Sequence, residues 1–320
     1  IKKSEGGMHF LVVGAGALGS SLAVMLKDEN HDVSVFDSHR WKLEQIHDHG
    51  IILYSPNGKK QRVNVRTITN YRFAPKPDYI LIAVKNYQVR EVLETLKSQY
   101  HPLPPTIFFQ DGFFALEKAQ QFLDNEEIIS AIVSHFFMGL SYFEVLSGTG
   151  TPILYLDKKN LHSSFIKDAL QSCSWIDCQL LENSDFIQKQ WLRLMLACSL
   201  EPVGAIGKVN LKDTLSCKPQ REAINLLATE IYELAFAKEV FYKPLEAILQ
   251  DFWHCLDNQS GAIRITMAQD LDSKSKTEIE ETTAWALKEA QKHNLKLSAN
   301  QSIYYLIKAI EEISLEGKFS

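Results

Sequence analysis

Two textures of apolar spacing divide this chain. In the N-terminal half, short unbroken apolar runs alternate with amphipathic stretches. Phe10–Val13, Asp78–Val84, Thr106–Phe109, Ile128–Val133 and Pro152–Leu156 each read as a buried strand, and His31–Asp37 as a further strand. Trp41–His49 and the stretch from Gln88 to about Tyr100 read as helices between them, and a glycine-bearing turn with Gly148 and Gly150 precedes the last run. Ile51–Tyr54 and Gln61–Val65 flank Pro56-Asn57-Gly58, a hairpin signal. From about Ser184 the apolar residues recur at threes and fours, as in Ile224, Leu227, Ala228, Ile231, Leu234 and Ala235. Helices are predicted over Phe186–Val203, Gln220–Glu239, Leu245–Cys255, Lys274–Lys292 and Gln301–Ile313, with no strand among them. The pattern predicts an α/β fold: a doubly wound sheet over residues 8–182, then an all-helical domain over 183–320, joined near Leu181–Ser184.

The first run leads into Gly14-Ala15-Gly16-Ala17-Leu18-Gly19 and an apolar helix. Gly14 permits a tight turn, Gly16 lets a pyrophosphate approach the backbone, and Gly19 lets the helix lie close to the strand. The helix start offers free N–H groups and the positive end of a dipole to phosphates. With a strand before and a helix after, the glycines read as the Rossmann dinucleotide fingerprint. A second strand ends in Asp37, close to the fingerprint's offset of about 20 residues. An acid there accepts from a ribose 2′-hydroxyl and repels a 2′-phosphate, which favours NAD over NADP. Ser38 follows it, and Arg40 is near enough to reach a phosphate. In such sheets ligands lie beyond the carboxyl ends of the strands, where Lys85, Gln88, Gln110, Asp111, Gly112 and His135 fall. Lys85 either borders the nicotinamide or is a surface lysine. His135 is either a base or ligand, or a hydrogen-bonded histidine at a strand end.

Composition narrows the partners. At 45% hydrophobic and 23% charged the chain is ordinary globular protein, and its net charge of −5 gives no overall basic footprint for nucleic acid. No apolar run approaches the ~18 residues of a membrane span. The five cysteines lack zinc spacing and read as free thiols of a reducing compartment, which predicts a cytoplasmic protein without a metal. The residues before Met8 are polar and without an apolar core, so a disordered leader is expected there, with the start at Met8.

Further segments complete a pattern. Val84-Lys85-Asn86-Tyr87-Gln88 and Gln110-Asp111-Gly112 follow strands; Trp191-Leu-Arg193-Leu precedes Glu201-Pro202-Val-Gly-Ala205; Thr266-Met-Ala-Gln-Asp270 and Thr277-Glu278-Ile279 come later. With the glycine loop, their order and spacing resemble the ketopantoate reductase (2-dehydropantoate 2-reductase) family from Met8 to about Ile313. The resemblance implies a Rossmann domain, a helical domain, and a cleft between them for NADPH and a branched 2-keto acid, with a homodimer allowed. In the family a lysine on the first helix of the second domain donates to the keto group and supplies the proton. Two asparagines follow on the same stripe at i+4 and i+8, and a serine and a glutamate further on hold substrate hydroxyls.

This chain departs from that pattern where the chemistry lies. The lysine position holds Arg193, the asparagine positions hold Ala197 and Glu201, the serine position holds Thr266, and Asp111 replaces an asparagine; Glu278 is as the family has it. Arginine stays protonated, so it can stabilise an alkoxide but is a poor proton donor. Arg193 could clamp a carboxylate, or pair with Asp111 or Glu201. Lys189, one turn earlier, could replace the missing lysine or be a solvated helix-start residue. Glu278 either holds substrate or completes a capping box with Ser275. Trp191 and Trp285 read as core. The expected activity is NAD(P)-dependent reduction of a small 2-keto acid, with Arg193, Glu278 and Lys189 catalytic and Thr266, Glu201, Ala197 and Asp270 on the substrate. The rival reading is a dinucleotide-binding sensor or scaffold that has lost catalysis.

Overall fold

Strand β1 (His9–Val13) is buried at every position. Phe10 and Val12 pack into one apolar layer while Leu11 and Val13 pack into the other. Strand side chains alternate between faces, so a run with both faces covered has no polar position to spare. The computed structural model describes residues 7–257 and 263–315; the leader expected ahead of Met8 lies, apart from Gly7, outside them. The chain divides into two units, one ending at Phe186 and the other opening at Ile187.

In the first unit β1 is followed by α1 (Ala17–Asp28), β2 (Asp32–Phe36), α2 (Arg40–His49), β3 (Ile51–Tyr54), β4 (Lys60–Val63) and β5 (Arg66–Ile68). Then come β6 (Tyr79–Ile82), α3 (Val89–Gln99), β7 (Thr106–Phe108), α4 (Phe114–Ala119), β8 (Ile128–Val133), β9 (Phe137–Gly139) and β10 (Glu144–Ser147). The unit closes with β11 (Ile153–Asp157), α5 (Ser163–Ala169) and β12 (Asp177–Leu181). Eight strands form the main sheet in the order β12-β11-β8-β7-β6-β1-β2-β5. Neighbours run parallel except β8 and β11, which are antiparallel. Leu22, Val24 and Met25 of α1 cover one face; Val89, Leu93 and Leu96 of α3 cover the other.

The expected hairpin is present, with β3 and β4 antiparallel around Pro56-Asn57-Gly58. It belongs to a second sheet of four strands, ordered β4-β3-β10-β9. That sheet was not foreseen, because β9 and β10 are too short to print a period. β3 and β10 pair in parallel although far apart in sequence.

The second unit is helical: α6 (Asn183–Gly207), α7 (Leu211–Ser216), α8 (Lys218–Ala237), α9 (Leu245–Asp257), α10 (Thr266–Asp272), α11 (Thr283–Lys292) and α12 (Ser298–Leu315). α6 begins in the first unit. The helix expected over Lys274–Lys292 is corrected: residues 273–282 form no α-helix, and α11 starts only at Thr283. Ser275 and Glu278 therefore make no capping box. Buried Glu311 of α12 instead accepts from the Thr277 N–H at 2.6 Å, holding this segment by a tertiary contact. Trp191 and Trp285 are core residues, edge to face at 6.1 Å. The five cysteines are free thiols; burial pushes Cys173 up to about 11 and Cys178 to about 12. Among the described residues no helix is long and apolar enough to cross a membrane.

His135 is a structural histidine. It is buried, and its Nε2 shares a 2.8 Å hydrogen bond with the Ser147 hydroxyl. Burial pulls its pKa down to about 4, against a smaller upward effect of a hydrogen bond with the Gly148 backbone. The unfolded chain, with a histidine near pH 6.5, binds the proton first as pH falls. His135 therefore costs nothing above about pH 6.5 and removes up to about 3 kcal/mol of stability between there and pH 4. Urea midpoints measured from pH 7.5 to 4.5 should fall less steeply in His135→Gln; parallel profiles would contradict this.

Gly19 sets how α1 meets the loop. A Cβ there would clash with the Gly14 carbonyl oxygen, whereas one at Gly16 meets nothing within 4 Å. Gly19→Ala should therefore lower unfolding stability by about 3 kcal/mol, as an overpacked site does. Gly16→Ala should stay within about 1 kcal/mol of the parent. Denaturant midpoints of the two variants at pH 7.5 decide it, and equal values would refute the packing argument.

Candidate functional site

In the first unit the predicted residues gather at the carboxyl ends of β1, β2, β6 and β7. Gly14 takes φ +103°, and a Cβ on it would meet the Ala83 carbonyl oxygen at 2.7 Å. Its N–H donates to the Phe36 carbonyl at 2.8 Å, which ties the turn to the end of β2. Ala15 is buried within the turn, and Gly16 is the N-cap of α1 in extended conformation. No side chain caps this helix start and no acidic residue occupies its first turn. Ala17 and Leu18 pack on the core beneath. A close backbone, an open Gly16 and a helix N-terminus together form a cradle for a phosphate group.

Asp37 lies beside that cradle, its side chain only 9% exposed. Its Oδ2 accepts from the Ala15 N–H at 2.9 Å and from Lys42 Nζ at 3.1 Å. Its Oδ1 accepts from the His39 N–H and from His39 Nδ1, both at 3.0 Å. Burial opposes the charge, but Lys42 and the hydrogen bonds from His39 and Ala15 outweigh it and hold the carboxyl below its ordinary value. Ser38 Oγ lies 3.3 Å from His39 Nδ1, and Arg40 pairs with Glu44 on the exposed face of α2. His39 and Lys42 escaped the sequence reading, because a histidine and a lysine at a helix start carry no spacing signal.

The loops after β6 and β7 are cross-tied. Gln110 Nε2 donates to the Ile82 and Val84 carbonyls at 3.0 and 2.9 Å, spanning the residue that packs on Gly14. Its Oε1 is buried without a partner among the described residues. Asn86 Nδ2 donates to the Asp111 carbonyl at 3.3 Å. Gln88 Oε1 accepts from the Lys85 N–H at 3.2 Å, closing the short turn that carries Lys85. Gly112 takes φ +81°, beyond the comfort of other residues.

In the second unit Lys189, Arg193, Ala197 and Glu201 succeed one another at four-residue steps along α6, one stripe of the helix. Arg193, Lys189 and Glu201 are half-buried and Ala197 is buried. Glu201 Oε2 accepts from the Met267 N–H at 2.8 Å. It thereby caps α10, whose own N-cap, Ile265, supplies no side-chain bond. A Cβ at Gly204, close behind on α6, would clash with the Ile265 side chain. Glu201 and Gly204 thus bring Thr266, exposed at the first position of α10, against α6. Asp270 lies on the same short helix, where its carbonyl accepts from the Ser275 N–H at 2.8 Å. Glu278 stands in the irregular segment, and its carbonyl accepts from the Glu281 and Thr282 N–H groups. Glu281 was missed in a charge-rich run. Its carboxyl is buried, bonded to Lys276 at 3.2 Å, and raised by burial first and by the nearby Glu278 charge as well. A groove of about 530 Å³ between α11 and α12 contains none of the predicted residues.

These arrangements meet the comparisons with known proteins. The family described as ketopantoate reductase PanE/ApbA matches residues 10–154, and its C-terminal counterpart matches residues 185–311. The 2-dehydropantoate 2-reductase of Aquifex aeolicus (strain VF5) is 23% identical, over 97% of this chain and 99% of its own. Among solved structures, D-mandelate dehydrogenase with NADH and anilino(oxo)acetate has a TM-score of 0.85 at 17% identity, covering 96% of this chain and 99% of that one. The PanE/ApbA family ketopantoate reductase from Ralstonia eutropha JMP134 has a TM-score of 0.80 at 17% identity, covering 96% and 99%. At such identities the structures speak to the fold alone, but the two matched segments account in order for nearly the whole chain. The chain belongs to the ketopantoate reductase family.

Proposed function

We propose that this chain is a nicotinamide-dinucleotide-dependent reductase of a small 2-keto acid. The observation that carries the reading is the cradle at Gly14–Gly19. Gly14 and Gly19 are packed so closely that no side chain fits, while Gly16 between them opens onto free space at an uncapped helix start. A pyrophosphate fits that combination. The relatives point the same way: two D-mandelate dehydrogenase structures hold NADH, and several relatives carry the name 2-dehydropantoate 2-reductase. In this reading residues 8–182 bind the dinucleotide and residues 183–320 bind the substrate. The assembly is a homodimer; the ketopantoate reductase from Staphylococcus aureus is dimeric.

When bound, the cofactor supplies a hydride to the keto carbon. Arg193 polarises the carbonyl and stabilises the alkoxide by charge and hydrogen bonding. Its guanidinium cannot usefully give up a proton near neutral pH, so Lys189 on the same stripe is the proton source. Glu278 and Thr266 hold the substrate, and Asp270 and Ala197 line its site. Glu201 acts through α10: it holds the helix start on which Thr266 sits. Lys85 and Asp111 border the nicotinamide. Asp37 accepts from the adenosine ribose, so NAD is preferred over NADP. A second reading, a dinucleotide sensor without catalysis, is favoured by Arg193 and Ala197 at the lysine and asparagine positions and by Glu201 being turned to Met267.

Gly16→Val should abolish dinucleotide binding in a protein that still folds, because its side chain occupies the approach to the loop. NADH and NADPH fluorescence titrations check this, with NADH the tighter ligand of the parent; unchanged binding in a folded variant would overturn it.

Turnover of ketopantoate itself should be weak, since Ala197 and Glu201 stand where the family carries the two asparagines that follow its lysine. Arg193→Lys combined with Ala197→Asn should raise kcat/KM on ketopantoate at least tenfold, equal to about 1.4 kcal/mol of transition-state stabilisation. Glu201 is left in place to keep α10 capped. A 2-keto acid panel on the parent separates the two readings: no turnover with any member, together with tight dinucleotide binding, supports the sensor.

A further inference from the structure

The Asp37 carboxylate is saturated. A carboxylate offers about four lone-pair positions. Here the Ala15 N–H, Lys42 Nζ, the His39 N–H and His39 Nδ1 fill them. A ribose hydroxyl that donates to Asp37 must therefore displace a donor already present.

Three of the four donors are fixed. The Ala15 N–H follows a turn that the Gly14–Phe36 hydrogen bond and the Ala83 backbone hold in place. The His39 N–H cannot turn, because the His39 carbonyl accepts from Lys42 and Leu43 as α2 begins. Lys42 is mostly covered, at 19% exposure, and its ammonium is the charge that stabilises the buried carboxylate. The His39 ring differs. It is 57% exposed and, beyond Asp37, meets the Ser38 hydroxyl at 3.3 Å and the edge of Trp41, 5.5 Å between centroids. Rotation about its side-chain bonds opens one acceptor position on Oδ1 at the surface.

We propose that the His39 imidazole is an exchangeable plug on Asp37, and that its displacement by the adenosine 2′-hydroxyl sets how well this site takes NADH. The proposal rests on the cofactor reading given above. The exchange trades one hydrogen bond for another, so the plug reduces NADH affinity without preventing binding. A 2′-phosphate has no proton to offer Asp37 and gains nothing from the vacated position. His39 is thus a specificity-determining residue that acts by competing for the acid that reads the ribose.

Fluorescence titrations with NADH, NADPH and NADH lacking the adenosine 2′-hydroxyl test this on the full chain, its His39→Ala variant and its His39→Gln variant. His39→Ala should bind NADH about tenfold more tightly, the value of one hydrogen bond to a charged carboxylate no longer displaced. It should bind the 2′-deoxy analogue as the parent does, and NADPH no more tightly. His39→Gln, whose amide can donate to Oδ1 again, should bind NADH as the parent does. No gain for NADH in His39→Ala, or an equal gain for the 2′-deoxy analogue, would overturn the proposal while leaving the cofactor reading intact. A parent that binds neither dinucleotide would overturn both.

Discussion

The structure of the first unit depends on one steric constraint, the approach of α1 to the turn it leaves. The Gly19 Cα faces the Gly14 carbonyl oxygen with no room for a Cβ, and Gly14 lies against the Ala83 backbone. Three short segments, the ends of β1 and β6 and the first turn of α1, are thereby packed backbone to backbone. Only glycine permits it. The result is a helix N-terminus held close to the sheet with Gly16 left open in front of it, so the packing that builds the fold also shapes the site.

Around that turn, polar side chains are spent on backbone groups. Asp37 holds the Ala15 N–H, Gln110 bridges two carbonyls of the β6 end, Asn86 reaches the Asp111 carbonyl, and Gln88 closes onto Lys85. Buried backbone groups without partners are costly, and strand-end loops have no ladder to satisfy them. These side chains supply the missing partners and fix the loops before any ligand arrives. Residues that look like ligand contacts in sequence are thus first of all braces. At Asp37 the consequence is that a carboxylate already in use can accept from a further donor only by exchange.

The helical unit uses carboxylates in a related way. Glu201 of α6 holds the Met267 N–H, Glu311 of α12 holds the Thr277 N–H, and Glu230 of α8 holds the Ala299 and Asn300 N–H groups at the start of α12. Each negative side chain satisfies backbone donors of a segment distant in sequence. The segment from Thr266 to Glu281, which carries Thr266, Asp270 and Glu278, is helical only over α10 and is held at Met267 and Thr277 by such contacts.

The sequence by itself determined the sheet-then-helices order, the glycine turn and the family. Each rests on local rules: unbroken apolar runs for doubly covered strands, 3.6-residue spacing for α8, and short glycine spacings whose sterics do not depend on distant residues. The α6 stripe was equally legible, since four-residue steps on one helix fix a common face. Tertiary structure alone decided the second sheet, the break before α11 and the uses of Asp37, Gln110 and Glu201. β3 pairs with β10 across many intervening strands and helices, and residues 273–282 keep helix-forming composition but are held by Glu311 instead. A side chain's hydrogen-bond partner is set by which backbone donor the fold carries to it, and nothing in local spacing records that. Sequence therefore named the candidate residues, and tertiary structure decided which of them were already occupied in holding the fold together.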